Sequence, residues 1–322
     1  MQQYIIRRIA YAIPTLLLGT VLVFGVMRVL PGDVAELIVG QESAERGQER
    51  DMQRINDLRE TLGLNDPLPV QYGKWLWSMV NGEFGGKTLR TQELVRNELA
   101  FRLPKTAELG LMAFAFSLVL GLPLGVIAAI YQDKWPDYLI RIILVGGISI
   151  PSFWLALMML LGLLLLFRYT PPIMYVGPTE DLWGNLQIMI LPSFILGFHS
   201  ATTKARVMRA QILEVARQDY IRTARSKGLK ESIILWRHAM KNAMIPIVTI
   251  IGLQLLVILS GSVVLETIFG IPGMGLGLIE AVRYRDYPLV QSFVTLFLFM
   301  SLVANLLTDI SYGLLDPRIK YT

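Results

Sequence analysis

The sequence predicts an all-α polytopic membrane protein with six transmembrane helices, an extracytoplasmic helical insert after the first, and a long cytoplasmic loop between the fourth and fifth. Three observations carry this. The chain is 53% hydrophobic and only 17% charged, with a mean hydropathy of +0.51, whereas soluble domains carry about 25% charge. Six apolar runs are each long enough to span a bilayer at ~20 residues. The basic residues of the short connections all fall on one side. Helices follow because only they satisfy their own backbone groups one segment at a time in lipid.

The first span, Ile9–Leu30, follows Arg7-Arg8. Its apolar run is too long for a cleaved signal and no small-residue cleavage site follows, so it is expected to stay as a membrane helix. Residues 1–30 form this N-terminal unit. Residues 31–105 form the insert. There Met52, Ile55, Leu58 and Leu62 repeat at amphipathic helical spacing, and Asn65-Asp66-Pro67 ends that helix as a turn. Trp75 and Trp77 fit chain lying at headgroup level, and Leu94, Val95 and Leu99 mark another short helix. A small cap over the outer mouth is expected, either a packing element or a platform for an external ligand-delivery protein. Asn81–Thr88 comes close to a GxxxxGK[ST] phosphate loop, but its first position is Asn81 and no buried strand precedes it, so no nucleotide site is expected there.

Residues 106–322 hold the core, with spans at Ala107–Tyr131, Leu139–Phe167, Leu182–Thr203, Ala243–Leu265 and Tyr287–Thr308. Pro14, Pro123, Pro151, Pro192 and Pro246 fall inside or at the ends of spans. They are compatible with ordinary membrane-helix composition or with helices that bend as the bundle changes state. Orientation follows from the loop 204–242, which carries ten basic and three acidic residues. The positive-inside rule puts it in the cytoplasm, together with both termini and the Lys134 turn. The stretch 31–105 then lies outside, and as a long loop it is exempt from the rule. The net charge of +5 is thus a topology signal and not a nucleic-acid footprint.

Within that loop, 205–216 continues the fourth span as a helix. Asp219 is a good N-cap, Tyr220, Ile221 and Ala224 share a face, and Gly228 stops the helix. A second helix runs from about Glu231 into the fifth span. The result is a short transverse helix held between two longer ones, its free face small and basic: Arg222, Thr223, Arg225, Ser226 and Lys227. That composition suits insertion into a protein groove better than a headgroup contact.

Other chemistry is sparse. Zero cysteines exclude disulfides and cysteinyl metal sites. The two histidines, His199 and His238, form no HExxH, and no GxSxG elbow occurs. His199 reads as a satisfied interface histidine, and Glu108 and Arg141 as residues snorkelling from span ends. No acidic pair sits mid-span to relay ions. An intramembrane enzyme is therefore disfavoured, and so is the main alternative, a stand-alone secondary transporter or channel. Gln254, Ser260 and Ser262 on the fifth span either line a pathway or pack helices, with packing favoured. The stretch from Glu266 through Gly270, Pro272, Gly273 and Gly275 is expected to break helix and fold back at the outer mouth, as a plain turn or as part of an outer gate.

The loop resembles the coupling motif of ATP-binding-cassette importer permeases: Glu-Ala-Ala, three residues, Gly, then nine residues before an Ile-x-Leu-Pro-like end. Aligned on Gly228, the first positions are Arg222-Thr223-Ala224 and the end is His238–Lys241; Ala224 and Gly228 match strictly. The departure at Arg222 fits the peptide branch, where Tyr-Ile-Arg-Thr-Ala-Arg-x-Lys-Gly is usual. The chain resembles the dipeptide/oligopeptide/nickel permeases end to end: Leu30–Asp33, Arg102–Glu108, Arg237–Pro246, Glu266–Gly275, Asp286–Pro288 and Leu315–Arg318. It is nearest the first-subunit type with the long outer insert. The resemblance implies a bacterial or archaeal inner-membrane permease that pairs with a second permease, two cytoplasmic ATPases holding ATP and Mg, and an extracytoplasmic solute-binding protein. The chain itself would be embedded in lipid and bind no cofactor or nucleic acid. Residues Asp219 to Leu229 would contact the ATPase. Peptide is the expected cargo.

Overall fold

The computed structural model describes residues 2–29, 35–36, 39–40, 52–61 and 63–315. Leu30–Asp33, Leu62 and Asp316–Arg318 lie outside the described residues, as do the side chains of Leu58 and of 252–261. Apart from one isolated bridge, Lys87–Leu94, regular structure among the described residues is helical. In chain order the helices are α1 (Gln2–Val29), α2 (Met52–Thr61), α3 (Leu68–Val80), α4 (Val95–Ile130), α5 (Trp135–Ser149), α6 (Ser152–Phe167), α7 (Leu182–Val215), α8 (Asp219–Ser226), α9 (Met240–Phe269), α10 (Met274–Arg283) and α11 (Tyr287–Leu315). A helical turn at Glu231–Ile233 and a π-helical segment at Ile234–Ala239 run into α9.

Two features depart from the expected elements. Leu94, Val95 and Leu99 do not mark a separate short helix: α4 runs unbroken for 36 residues from Val95. The span expected over 139–167 is two helices, α5 and α6, bent by 108° at Ile150-Pro151. Pro151 has no N–H to give and forces Ile150 out of the helical region, to φ −93°, ψ 120°.

The chain forms two compact units: Met1–Arg8, Lys105–Pro272 and Val303–Thr322 in one, Ile9–Pro104 and Gly273–Leu302 in the other. In the first, α7 is the central helix. Small residues let α4 lie directly on it. A Cβ on Gly125 would stand 2.6 Å from the Ala205 carbonyl oxygen, one on Gly121 2.8 Å from that of Ala201, and one on Gly197 2.5 Å from that of Ala113. This is the close backbone approach that small residues permit between membrane helices, where van der Waals contact replaces hydrophobic driving force. An apolar core of Leu109, Ala113, Ile188, Met189, Ile195 and Leu265 fills the same unit.

In the second unit, α3 packs its Tyr72 and Trp75 rings on Phe24 of α1, at centroid distances of 5.5 and 5.8 Å. Asp286, almost wholly buried, accepts hydrogen bonds from the backbone N–H groups of Leu89, Arg90 and Leu289. It thereby caps α11 and pins the loop before α4. Arg102 donates to Glu98 and Glu280, each at 2.8 Å, tying α4 to α10. The glycine-rich stretch 81–88 spends its amides on local turns, with Gly85 N–H on Ser78 Oγ and Gly86 N–H on the Glu83 carbonyl.

Candidate functional site

The transverse helix α8 is short, and its sequence explains both ends. Gln218 is its cap residue, with φ −72° and ψ 150°, and no side chain caps it. Asp219, expected as the cap, is the first helical residue and its side chain is 98% exposed; there it favours the helix dipole and makes a long, solvent-exposed ion pair with Arg222 at 3.9 Å. Gly228 adopts φ +74°, the left-handed conformation that ends helices and that a Cβ disfavours. The Leu229 N–H reaches back to the Ala224 carbonyl across it. Glu231 brackets the turn by accepting from Arg225 Nε at 2.7 Å and Nη2 at 3.2 Å. That guanidinium holds the Glu231 carboxyl below its ordinary range, and Glu231 in turn raises Arg225.

Ile221 and Ala224 form the inward face and are buried. They belong to one buried cluster with Val126 and Ala129 of α4, Met208, Ile212 and Val215 of α7, Ala239 at the end of the π-helical segment, and Ala243 and Ile247 beyond it. Full burial of one such isoleucine contributes about 1.5–3 kcal/mol, so α8 is seated by packing and not by its caps. Tyr220, expected on that inward face, is 42% exposed; its hydroxyl accepts from Asn242 Nδ2 at 2.7 Å. Arg222, Thr223, Arg225, Ser226, Lys227, Gly228 and Leu229 are exposed, and Trp236 and Ile233 extend the exposed surface with apolar area.

The ground under α8 is braced by a pair that sequence reading missed. Asp137, fully buried at the start of α5, receives Arg209 Nε at 2.8 Å and Nη2 at 2.7 Å, and the Asp133 N–H at 3.0 Å. Arg209 adjoins Met208 and lies one to two turns before Ile212 and Val215, the α7 residues clustered with Ile221 and Ala224. The partners stand 72 residues apart in sequence, so no local pattern announces them. Lys204, counted at the sequence level among the loop's basic residues, is instead fully buried in α7. Its Nζ donates to Ser117 Oγ and Ser200 Oγ, each at 2.9 Å.

At the other end of α9, Glu266 is buried and accepts from the Thr106 hydroxyl at 2.8 Å. Gly270 ends α9 in the left-handed region at φ +65°, Pro272 follows, Gly273 caps α10, and Gly275 is buried in its first turn. The stretch thus breaks helix, as its glycines predict. Glu108 does not snorkel: it accepts from Tyr175 at 2.6 Å, and burial together with this carboxylate pushes the Tyr175 phenol pKa up. His199 Nδ1 lies 3.2 Å from the Gly147 carbonyl, a satisfied interface contact. Ser262 is buried on α9, while the side chains of Gln254 and Ser260 lie outside the described residues.

Two family profiles match the chain. One describes a binding-protein-dependent transport system inner membrane component and covers residues 121–321; the other describes the N-terminal part of such membrane components and covers 1–110. The chain belongs to this permease family. A Brucella abortus protein provisionally named a peptide transport system permease is 39% identical over 321 residues, covering 100% of both chains. The dipeptide transport system permease protein DppB of Alkalihalophilus pseudofirmus is 38% identical over 341 residues, and the glutathione transport system permease protein GsiC of Escherichia coli K12 is 38% identical over 323; each match covers 100% of both chains. Among solved structures, a chain of an amino acid ABC transporter with histidines superposes with TM-score 0.55 at 17% identity, covering 67% of this chain and 94% of that one. A chain of the inward-facing methionine transporter MetNI gives 0.54 at 17%, covering 68% and 96%. The fold is that of ABC importer permeases, and this chain is the transmembrane permease subunit of a binding-protein-dependent importer.

Proposed function

We propose that this permease is the first of two related membrane subunits of an ATP-driven importer for di- or oligopeptides in a bacterial or archaeal cytoplasmic membrane. The loop 204–242 and both termini face the cytoplasm. Two ATPase subunits bind ATP and Mg there, and hydrolysis is theirs. This chain holds no cofactor and converts their closure into movement of the pathway. A solute-binding protein delivers cargo at the opposite face, where residues 31–105 form its platform over the transport core 106–322. Peptide cargo is supported by the dipeptide and glutathione permeases that resemble this chain along its whole length.

The observation that carries the coupling role is the seating of α8. A lever must pass force without deforming. Ile221 and Ala224 lock α8 onto α4, α7 and the root of α9, while Asp219–Leu229 otherwise presents Tyr220, Arg222, Thr223, Arg225, Ser226, Lys227 and Gly228 outward. We assign that surface to the ATPase groove. Glu266, Gly270, Pro272, Gly273 and Gly275 are assigned to the outer mouth, and Gln254, Ser260 and Ser262 to the fifth span's inner packing, at the margin of the pathway.

The test uses the absence of cysteine in the chain. A tagged Lys227→Cys permease is purified with the subunits that accompany it and treated with a short bifunctional thiol reagent. A cross-link to an ATPase, lost when the cysteine is moved to Glu93, is the expected result. Recovery of the ATPase with no cross-link from Lys227→Cys, or of the chain alone, would overturn the assignment of this surface to an ATPase groove.

A further inference from the structure

Helix α3 sits too deep to be a purely aqueous cap element. In α1, Arg8 and Arg28 bracket an apolar run and stand 20 positions apart (28 minus 8). At about 1.5 Å per residue they are roughly 30 Å apart, the thickness of the hydrocarbon layer. The Tyr72 and Thr20 hydroxyls lie 2.9 Å apart, and since Thr20 already donates to the Leu17 carbonyl, Tyr72 is the donor. Thr20 lies eight residues, about 12 Å, below Arg28 along α1. Phe24, which both Tyr72 and Trp75 touch, lies about 6 Å below it. Even with Tyr72 pointing straight along α1, helix radius, side chain and hydrogen bond together reach only about 12 Å. The axis of α3 therefore stands no higher than Arg28.

At that level the outward face of α3 is apolar. Val70, Trp77 and Val80 are 45%, 66% and 73% exposed and fall within about 80° of arc at 100° per residue. Gln71 and Trp75 occupy the opposite, buried face. Lys74 flanks the stripe and is held by Asp66 at 2.6 Å. The exposed face of α1 at the same depth is equally apolar, with Leu22, Val26 and Val29 outward. In a membrane permease exposed apolar faces at this level meet lipid.

We propose that α3 is an in-plane membrane helix: the Val70–Trp77–Val80 stripe is seated among lipid chains and glycerol groups at the boundary marked by Arg28. Tryptophan favours this boundary because its ring is apolar and its N–H is not, and helices of this kind bury their apolar face about 5–10 Å deep. The stripe would anchor the outer segment to the bilayer and hold it level.

Single cysteines at Trp77, Val80, Leu22 and Glu93, introduced into the cysteine-free chain and spin-labelled, report their surroundings by collision with oxygen, which concentrates in lipid, and with a water-soluble nickel chelate. The permease is studied with its accompanying subunits in phosphatidylglycerol/phosphatidylethanolamine nanodiscs, without binding protein. Positions 77 and 80 should match Leu22→Cys, with chelate access at least about threefold below Glu93→Cys, as expected for a helix sunk in the interface. Chelate access equal to Glu93→Cys would overturn the proposal in favour of an aqueous face. Exclusion of both reagents would overturn it in favour of a protein neighbour. Neither outcome bears on cargo or on α8.

Discussion

Gly228 separates backbone strain from docking, because the two costs fall on different substitutions. Its φ of +74° disfavours any L side chain, yet a Cβ there would meet nothing within 4 Å. Gly228→Ala therefore adds strain without a clash, about 1–2 kcal/mol for a left-handed residue. That shifts the equilibrium between capped and frayed ends of α8 by a factor of about 5–30. Gly228→Asn should recover part of this, since asparagine tolerates the left-handed region. Gly228→Trp adds the same strain as alanine, and its indole projects into space that the permease leaves open. If an ATPase groove closes over that space, tryptophan must abolish transport-coupled ATP hydrolysis where alanine only reduces it. The assay is ATP hydrolysis stimulated by loaded binding protein in reconstituted vesicles, with assembly checked by size exclusion. Equal hydrolysis by the alanine and tryptophan variants would refute the reasoning, because the bulk would then have met no partner.

Three further outcomes follow from other contacts. Gly125→Ala forces a Cβ to 2.6 Å from both the Ala205 carbonyl oxygen and Met208 Cβ. It should cost about 1–3 kcal/mol by overpacking and lower the Tm of the purified permease, whereas Gly162→Ala, with nothing within 4 Å, should leave it unchanged. Asp286→Ala strands the N–H groups of Leu89, Arg90 and Leu289 and should cost about 2–4 kcal/mol in thermal unfolding, at about 1–3 kcal/mol per buried orphan with partial rehydration; Asp286→Asn, which keeps an acceptor, should cost less. The Glu231 carboxyl sits below its ordinary value of 4.5 because Arg225 bonds it. Its stabilising effect is therefore complete above pH 4.5 and lost as pH falls through the lowered value, and amide exchange at Lys227–Lys230 should quicken only there. The pair is largely exposed, so the change is small, and Arg225→Gln should remove the pH dependence altogether.

Much of α8 was legible locally. Asp219 through Ser226 reads as a helix, Gly228 as its stop, and Ile221 and Ala224 as its buried face, because each depends on neighbours within one turn. The helical end of α9 at Gly270 is legible for the same reason. What was not legible depends on partners far along the chain. Tyr220 turns outward because Asn242 is there to donate to its hydroxyl. Lys204 is buried because two serines of α4 and α7 receive it. Arg209 finds Asp137 across the bundle. The break at Pro151 had a local cause, but an unbroken apolar run masks it. The π-helical segment left a fainter trace: its buried residues, Ile234 and Ala239, are spaced by five, and Ala243 and Ile247 follow at intervals of four. The apolar residues Ile233, Leu235 and Trp236 between them hide that change of step.

That five-residue step makes chain length a controlled quantity. A π-helical turn accommodates one residue more than an α-helical turn. If Ile234–Ala239 reverted to α-helix, everything on one side would rotate by about 100° and shift by about 1.5 Å relative to the other. Ile221 and Ala224 lie on one side of the segment, and Ala243 and Ile247 on the other. Substitutions between Glu231 and Met240 thus change contacts, but the gain or loss of one residue changes the direction in which α8 points relative to α9.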